Sequence, residues 1–183
     1  MRKKIVVITG SPRKNGNSFA MADAFAEAAG AAGHTIVRFD AALRRVSGCR
    51  DCEQCFEKGA CAFDDDFNAL APDIDSADAV VFVTPLYFFS FTAQIKAVID
   101  KLHAFSVARR AGKKDISNKT CGLLACCEDD AAAMDGLVKS YELMADYLKW
   151  KSVGTLLVPG VRHQGDIHKT DGIAGAAAFA SKF

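Results

Sequence analysis

Charge of one sign is not in excess in this 183-residue chain, where 23 lysines and arginines face 22 acidic residues for a formal net charge of +1. That balance excludes an extended nucleic-acid surface and a polyanionic tail. Long hydrophobic runs are missing too. The longest, such as Ile5 to Ile8 and Val80 to Val83, fall far short of the roughly 20 apolar residues a membrane helix needs. Arg2, Lys3 and Lys4 resemble the basic start of an export signal, but the apolar stretch behind them stops at Thr9-Gly10. An exported h-region needs roughly seven such residues. No export is expected, and a cytoplasmic location follows as the default. No repeat, low-complexity linker or charge block divides the sequence. One domain spanning residues 1–183 is therefore expected.

What is present is a composition half hydrophobic and a quarter charged, that of a globular protein. Seven cysteines make an odd count, too sparse for a disulfide scaffold. Cys49, Cys52, Cys55 and Cys61 crowd into one segment, 47–63, whereas Cys121, Cys126 and Cys127 belong to a later apolar stretch. In a reducing compartment such crowding points to metal or redox chemistry, and the later three read as small buried hydrophobes.

The order of elements is legible from periodicity. Nearly continuous apolar, β-branched runs at Lys4–Thr9, Ala79–Thr84, Thr120–Cys126 and Ser152–Val158, with a weaker one at Thr35–Phe39, predict strands covered on both faces. Helical spacing predicts helices from Ser18 to Gly30, over Asp66–Ile74 despite Pro72, over Ala93–Phe105, and from Met134 to Leu148. A tail, 159–183, follows. Alternating strands and helices imply an α/β doubly wound parallel sheet, whose ligands bind beyond the carboxyl ends of the strands. The loops after Thr9, Thr84 and Cys126 are therefore the places for a site.

The first loop, Gly10-Ser-Pro-Arg-Lys-Asn-Gly-Asn-Ser18, leads straight into a helix. Its small residues let an anion approach the backbone, Arg13 offers a charge-assisted hydrogen bond, and the helix start adds unpaired N–H groups. Asn17 stands where a Walker lysine would be, so this phosphate cradle is of another kind; nor is it G-x-G-x-x-G. The second loop carries Tyr87, Phe88, Phe89 and Phe91, which call for a flat aromatic ligand, a subunit interface or core packing. Phe91 is the best candidate for packing. The third loop, Cys126-Cys-Glu-Asp-Asp130, could present backbone N–H groups to a ring system or simply start a helix. Four thiolates at Cys49, Cys52, Cys55 and Cys61 suit an iron–sulfur cluster, zinc, or a metal-free set that stays reduced or pairs by oxidation. Arg50 is close enough in sequence to stabilise thiolates.

Taken together, the first loop, Thr84-Pro-Leu-Tyr-Phe88, Ala93-Gln-Ile-Lys-Ala-Val-Ile-Asp100 and Gly165-Asp-Ile-His-Lys169 resemble the flavodoxin-like NAD(P)H-dependent FMN reductases. The cysteine segment resembles the iron–sulfur flavoprotein branch of that group. The resemblance implies a three-layer flavodoxin-like fold with strand order 2-1-3-4-5 and FMN at the switch point between the first and third strands. It implies that Ser11, Arg13, Asn17 and Ser18 hold the FMN phosphate. Pro85, Leu86, Tyr87 and Phe88 would lie beside the isoalloxazine, and Cys126 would belong to the third loop around it. It further implies a 4Fe–4S cluster on Cys49, Cys52, Cys55 and Cys61, although the proline that ends a ferredoxin motif is absent. NADH or NADPH is the expected co-substrate, entering over Tyr87 and Phe88, with a small molecule or a protein as acceptor. A homodimer or homotetramer is expected, with residues 159–183 as a docking tail. An electron carrier using FMN and a cluster, and a zinc-binding or redox-sensing module, are the rival functions. No catalytic acid or base is expected, because the flavin carries the chemistry.

Overall fold

Five parallel strands run in the order β2-β1-β3-β4-β5 in the computed structural model, which describes residues 1–113 and 115–183. They are β1 Lys4–Thr9, β2 Thr35–Asp40, β3 Ala79–Pro85, β4 Thr120–Cys126 and β5 Lys151–Val158. Helices α1 Asn17–Ala31 and α7 Gly172–Phe179 cover one face. The other carries α3 Phe67–Ser76, α4 Ala93–Lys101, α5 His103–Arg110 and α6 Asp135–Leu148, with the short α2 Gln54–Lys58 against α5. This is the flavodoxin-like order expected.

The period of two in each strand sorts side chains between two cores. Val6, Ile8, Val80, Phe82 and Leu123 pack under α3, α4 and α6 around Phe67, Ile74, Ile95 and Tyr141. Ile5, Val7, Val81, Val83 and Leu124 pack under α1 and α7 around Met21, Phe25 and Phe179. Being buried on both faces explains why these strands read as unbroken apolar runs. Register aligns the carboxyl ends, pairing Thr9 with Val83 and Pro85 with Cys126. The three candidate loops thus leave the sheet side by side.

Two elements differ from expectation. The helix predicted over Ala93–Phe105 breaks at Leu102, where Leu102 N–H reaches Ile99 O and Phe105 N–H reaches Leu102 O at 3.0 Å each. These i→i+3 bonds tighten the chain by one 3₁₀ turn beside Lys101, whose side chain turns inward. The tail is also more ordered than a plain tail. It holds a 3₁₀ turn, Asp166–Lys169, and then α7, whose Phe179 ring fills the space over Gly122. A Cβ at Gly122 would lie 2.7 Å from Phe179 Cε1, so only glycine fits there.

Candidate functional site

A cleft of about 530 Å³ opens at the carboxyl ends of β1, β3 and β4, within the range of small-molecule sites. Ser11, Arg13, Asn17, Ser18, Pro85, Leu86, Tyr87, Phe88 and Cys126 all line it. Its floor is fixed where two loops meet. Gly10 N–H donates to Val83 O at 2.9 Å and the Thr92 hydroxyl donates to Gly10 O at 2.7 Å. A Cβ at Gly10 would stand 2.7 Å from Thr92 Oγ1, so the approach requires glycine.

Past Gly10 the loop folds on itself. Ser11 Oγ accepts from Arg13 N–H at 3.1 Å, and Gly16 N–H donates to Arg13 O at 3.0 Å. Helix α1 then starts from Gly16 with no side-chain cap and no acidic residue in its first turn. Its first N–H groups lack intrahelical partners by construction. The Ser18 hydroxyl makes no hydrogen bond and Arg13 no ion pair among the described residues. An uncapped helix start, a free hydroxyl and a free guanidinium together fit a phosphate.

Asn17 serves differently from the other three. Its Nδ2 donates to His163 O at 2.9 Å, and its Oδ1 accepts from Gly165 N–H at 3.0 Å and Ile167 N–H at 3.3 Å. The side chain latches the tail to the first loop, leaving its backbone N–H for an anion. The latch brings Val161, Arg162 and Gln164 into the cleft wall. Sequence reasoning missed these three because no periodic signal marks the tail.

The second loop turns sharply. Tyr87 and Ser90 exchange two backbone hydrogen bonds of 3.1 Å, and Phe88 and Phe89 between them have φ of +45° and +64°. Two positive φ values define a type I′-like turn, which favours Asn-Gly. Phenylalanine there is strained. Phe88 is 95% exposed, whereas Phe91 is buried in the core. In the third loop, burial pushes the Cys126 thiol up to about 12 and also raises Cys127. Both stay protonated at neutral pH. Asp130 caps the 3₁₀ turn Ala131–Met134 through Ala133 N–H at 3.2 Å.

A second recess, of about 30 Å³, lies where the break between α4 and α5 faces the loop after β2. Cys49, Cys52, Cys55 and Cys61 all line it, with Phe56, Phe63, Lys101 and His103. All four thiols are free, Cys49 and Cys52 exposed and Cys55 and Cys61 half-buried. Burial raises the Cys55 thiol, and proximity to Cys52, Cys49 and Cys61 adds to the rise. The donor set suits a thiolate-bound centre, but no three His, Cys, Asp or Glu side chains converge as ligands of one metal ion among the described residues. Arg50 stacks on Phe63 at 5.1 Å.

This loop hangs from one buried carboxylate. Asp65 accepts from Ser47 N–H at 2.9 Å, Ser47 Oγ at 2.7 Å and Phe67 N–H at 3.1 Å, and it pairs with the Lys101 ammonium. The Lys101 and Asp65 side chains are 1% and 5% exposed. Burial alone would raise the Asp65 carboxyl, but hydrogen bonds from Lys101, Ser47 and Phe67 outweigh it and hold it at about 2. Sequence periodicity predicts only a helix over Asp66–Ile74 here, and nothing local marks Asp65 as an anchor.

The profile of the NADPH-dependent FMN reductases matches residues 3–164. The chain belongs to that family. It is accordingly an NAD(P)H-dependent FMN oxidoreductase by family, as its motifs suggested. Among curated proteins it is similar to an iron-sulfur flavoprotein of Archaeoglobus fulgidus, 29% identical over 98% of this chain and 82% of that one. An iron-sulfur flavoprotein of Methanosarcina thermophila is 30% identical over 67% of this chain and 62% of its own length. Among solved structures, an NAD(P)H:quinone oxidoreductase from Methanothermobacter marburgensis superposes with a TM-score of 0.80 at 19% identity, covering 98% and 95% of the two chains. An azoreductase from Bacillus anthracis gives 0.74 at 22%, covering 99% and 100%. At those identities the two structures attest the fold. No helix among the described residues is long and apolar enough to cross a membrane.

Proposed function

We propose that the cleft binds FMN, with its phosphate at the start of α1 and its ring against Pro85 to Phe88 and the third loop. Electrons from NADH or NADPH then pass to a small-molecule or protein acceptor. One observation carries this reading: an anion receptor without a partner and an aromatic turn open into the same cleft. Bound FMN supplies the hydride-accepting and electron-donating chemistry. Arg13, the Ser18 hydroxyl and the first N–H groups of α1 hold the phosphate dianion. Pro85, Leu86 and Tyr87 keep water from one side of the ring, and the protonated Cys126 presents it with a neutral wall. A cytoplasmic protein that assembles as a homodimer or homotetramer completes the proposal, and light scattering tests the assembly.

The test is a titration of the FMN-free protein with FMN, followed by NADPH or NADH under anaerobic conditions. Saturable uptake and bleaching of the visible flavin bands are expected. Failure to bind FMN, or a complex that neither nucleotide bleaches, overturns the reading.

A second reading adds a thiolate-bound centre, such as a 4Fe–4S cluster, at the cysteine recess. It is supported by the gathering of Cys49, Cys52, Cys55 and Cys61 on one small apolar recess and by relatives that are iron-sulfur flavoproteins. Iron and acid-labile sulfide in protein purified without oxygen, lost in Cys52→Ala while FMN stays, is the expected result. A wild-type protein without iron and sulfide overturns it.

A further inference from the structure

Arg162 is a cation on the cleft wall that flavin phosphate anchoring leaves unused. Arg13 and Arg162 are the cationic side chains lining the cleft. Arg13 sits in the loop before α1, beside the helix start that suits one phosphate. A nicotinamide dinucleotide brings a pyrophosphate, and NADPH a further 2′-phosphate, into a cleft that also carries Glu128 and Asp129. Those anions need countercharge of their own.

The mount of Arg162 is firm while its head is free to exchange. Val161 N–H donates to Cys127 O at 2.8 Å, and the N–H groups of Arg162 and His163 donate to Asp166 Oδ2 at 3.2 and 2.6 Å. The Asn17 latch holds the next residues. Among the described residues the Arg162 guanidinium pairs only with Glu128, with Nε to Oε2 at 3.3 Å, and the two side chains are 73% and 56% exposed. An exposed pair of that kind contributes little and is readily exchanged. A guanidinium fork matches a phosphate with two parallel hydrogen bonds.

We propose that Arg162 is the receptor for a phosphate of the incoming nicotinamide dinucleotide, and that Glu128 is the counter-ion it leaves on binding. This rests on the reading of the cleft as an FMN and NAD(P)H site. Glu128 has a double effect: it parks the arginine at the cleft mouth, and it competes with the phosphate.

Steady-state kinetics of FMN-loaded protein with NADPH and with NADH test it. Arg162→Gln raises KM about 10-fold or more, the loss expected for a charge-assisted hydrogen bond, while turnover at saturating nucleotide and FMN affinity are retained. Arg162→Lys recovers part of the loss, and Glu128→Gln lowers KM. A rise confined to NADPH assigns the 2′-phosphate; an equal rise for both nucleotides assigns the pyrophosphate. Unchanged KM for both nucleotides overturns the proposal, as does a rise matched by an equal loss of FMN affinity. If the FMN-loaded wild type oxidises neither nucleotide, it is the functional reading that has failed.

Discussion

The cleft draws its lining from three loops and the tail, whereas the recess draws most of its lining from the single stretch 49–63, and the fold holds the two by different means. Three adjacent strand ends set the cleft, and their register is fixed by every backbone bond of a buried parallel sheet. The recess belongs to the long connection between β2 and α3, and the buried Lys101–Asp65 pair ties the two ends of its cysteine loop to α4. A site built on strand ends inherits the rigidity of the sheet. A site built on a loop is only as rigid as its anchor, so the two should respond separately to substitution.

Breaking the anchor gives the largest effect. Removing one partner of a buried ion pair costs about 3–5 kcal/mol, because the other charge is left unpaired. Lys101→Met is therefore expected to lower unfolding free energy by that order, seen in a urea titration, and to speed alkylation of Cys55 and Cys61. The Lys101→Met, Asp65→Asn double variant recovers most of the stability, since no buried charge remains. FMN affinity of the double variant stays near that of the wild type. A parallel loss of FMN affinity would mean that the two regions are mechanically one.

On the cleft side the matching change is Arg13→Ala. A hydrogen bond to a charged group contributes about 1.5–3 kcal/mol, so FMN affinity should fall about 10- to 100-fold, with thermal unfolding of the FMN-free protein unchanged. Fluorescence titration measures it. Unchanged affinity would remove Arg13 from the phosphate site.

Acid offers a further way to separate the regions. The Asp65 carboxyl sits at about 2 in the folded chain against an ordinary 3.8. Its contribution, about 2 kcal/mol, is fully present above the unfolded value and is lost as pH falls from about 4 through 2. The stability difference between wild type and Asp65→Asn should narrow across that window. A difference that holds constant down to pH 2 would show that Asp65 is not an anchor.

What the sequence disclosed follows the same division. β1 and β4 are legible to the residue because a strand buried on both faces is a continuous apolar run with sharp ends. The cleft loops are legible because turn residues and aromatics cluster beside such runs. The Lys101–Asp65 pair spans 36 residues, and no local pattern announces a partner so distant. The break at Leu102 is hidden because Leu102 continues the apolar spacing of α4. Helix α7, Gly-Ile-Ala-Gly-Ala-Ala-Ala-Phe, has no polar face to contrast with an apolar one, so its period cannot be seen. The side-chain bonds of Asn17 to the tail are hidden in the sequence, because its partners His163, Gly165 and Ile167 lie 146 to 150 residues away.

The smallest expected effect probes backbone strain, which the recess carries on the polar residues Asp51 and Glu53 and the cleft on two aromatic ones. Phe88 and Phe89 hold φ of +45° and +64°, where side chains larger than asparagine cost about 1 kcal/mol or more each. Phe88 gains almost nothing from burial in return. Strain of this kind persists where function requires the side chains. Replacing the pair by Asn-Gly, the residues this turn favours, should raise the unfolding free energy of the FMN-free protein by about 1 kcal/mol. The same change removes two aromatic rings from the mouth of the cleft, so KM for an aromatic acceptor should rise and FMN affinity should fall modestly with the loss of Phe88. Unfolding curves and the mass by light scattering, taken at one protein concentration, decide the matter. A gain in stability with unchanged mass means that the rings are kept for a ligand. A loss of stability with a fall in mass means instead that a second copy of the chain covers them.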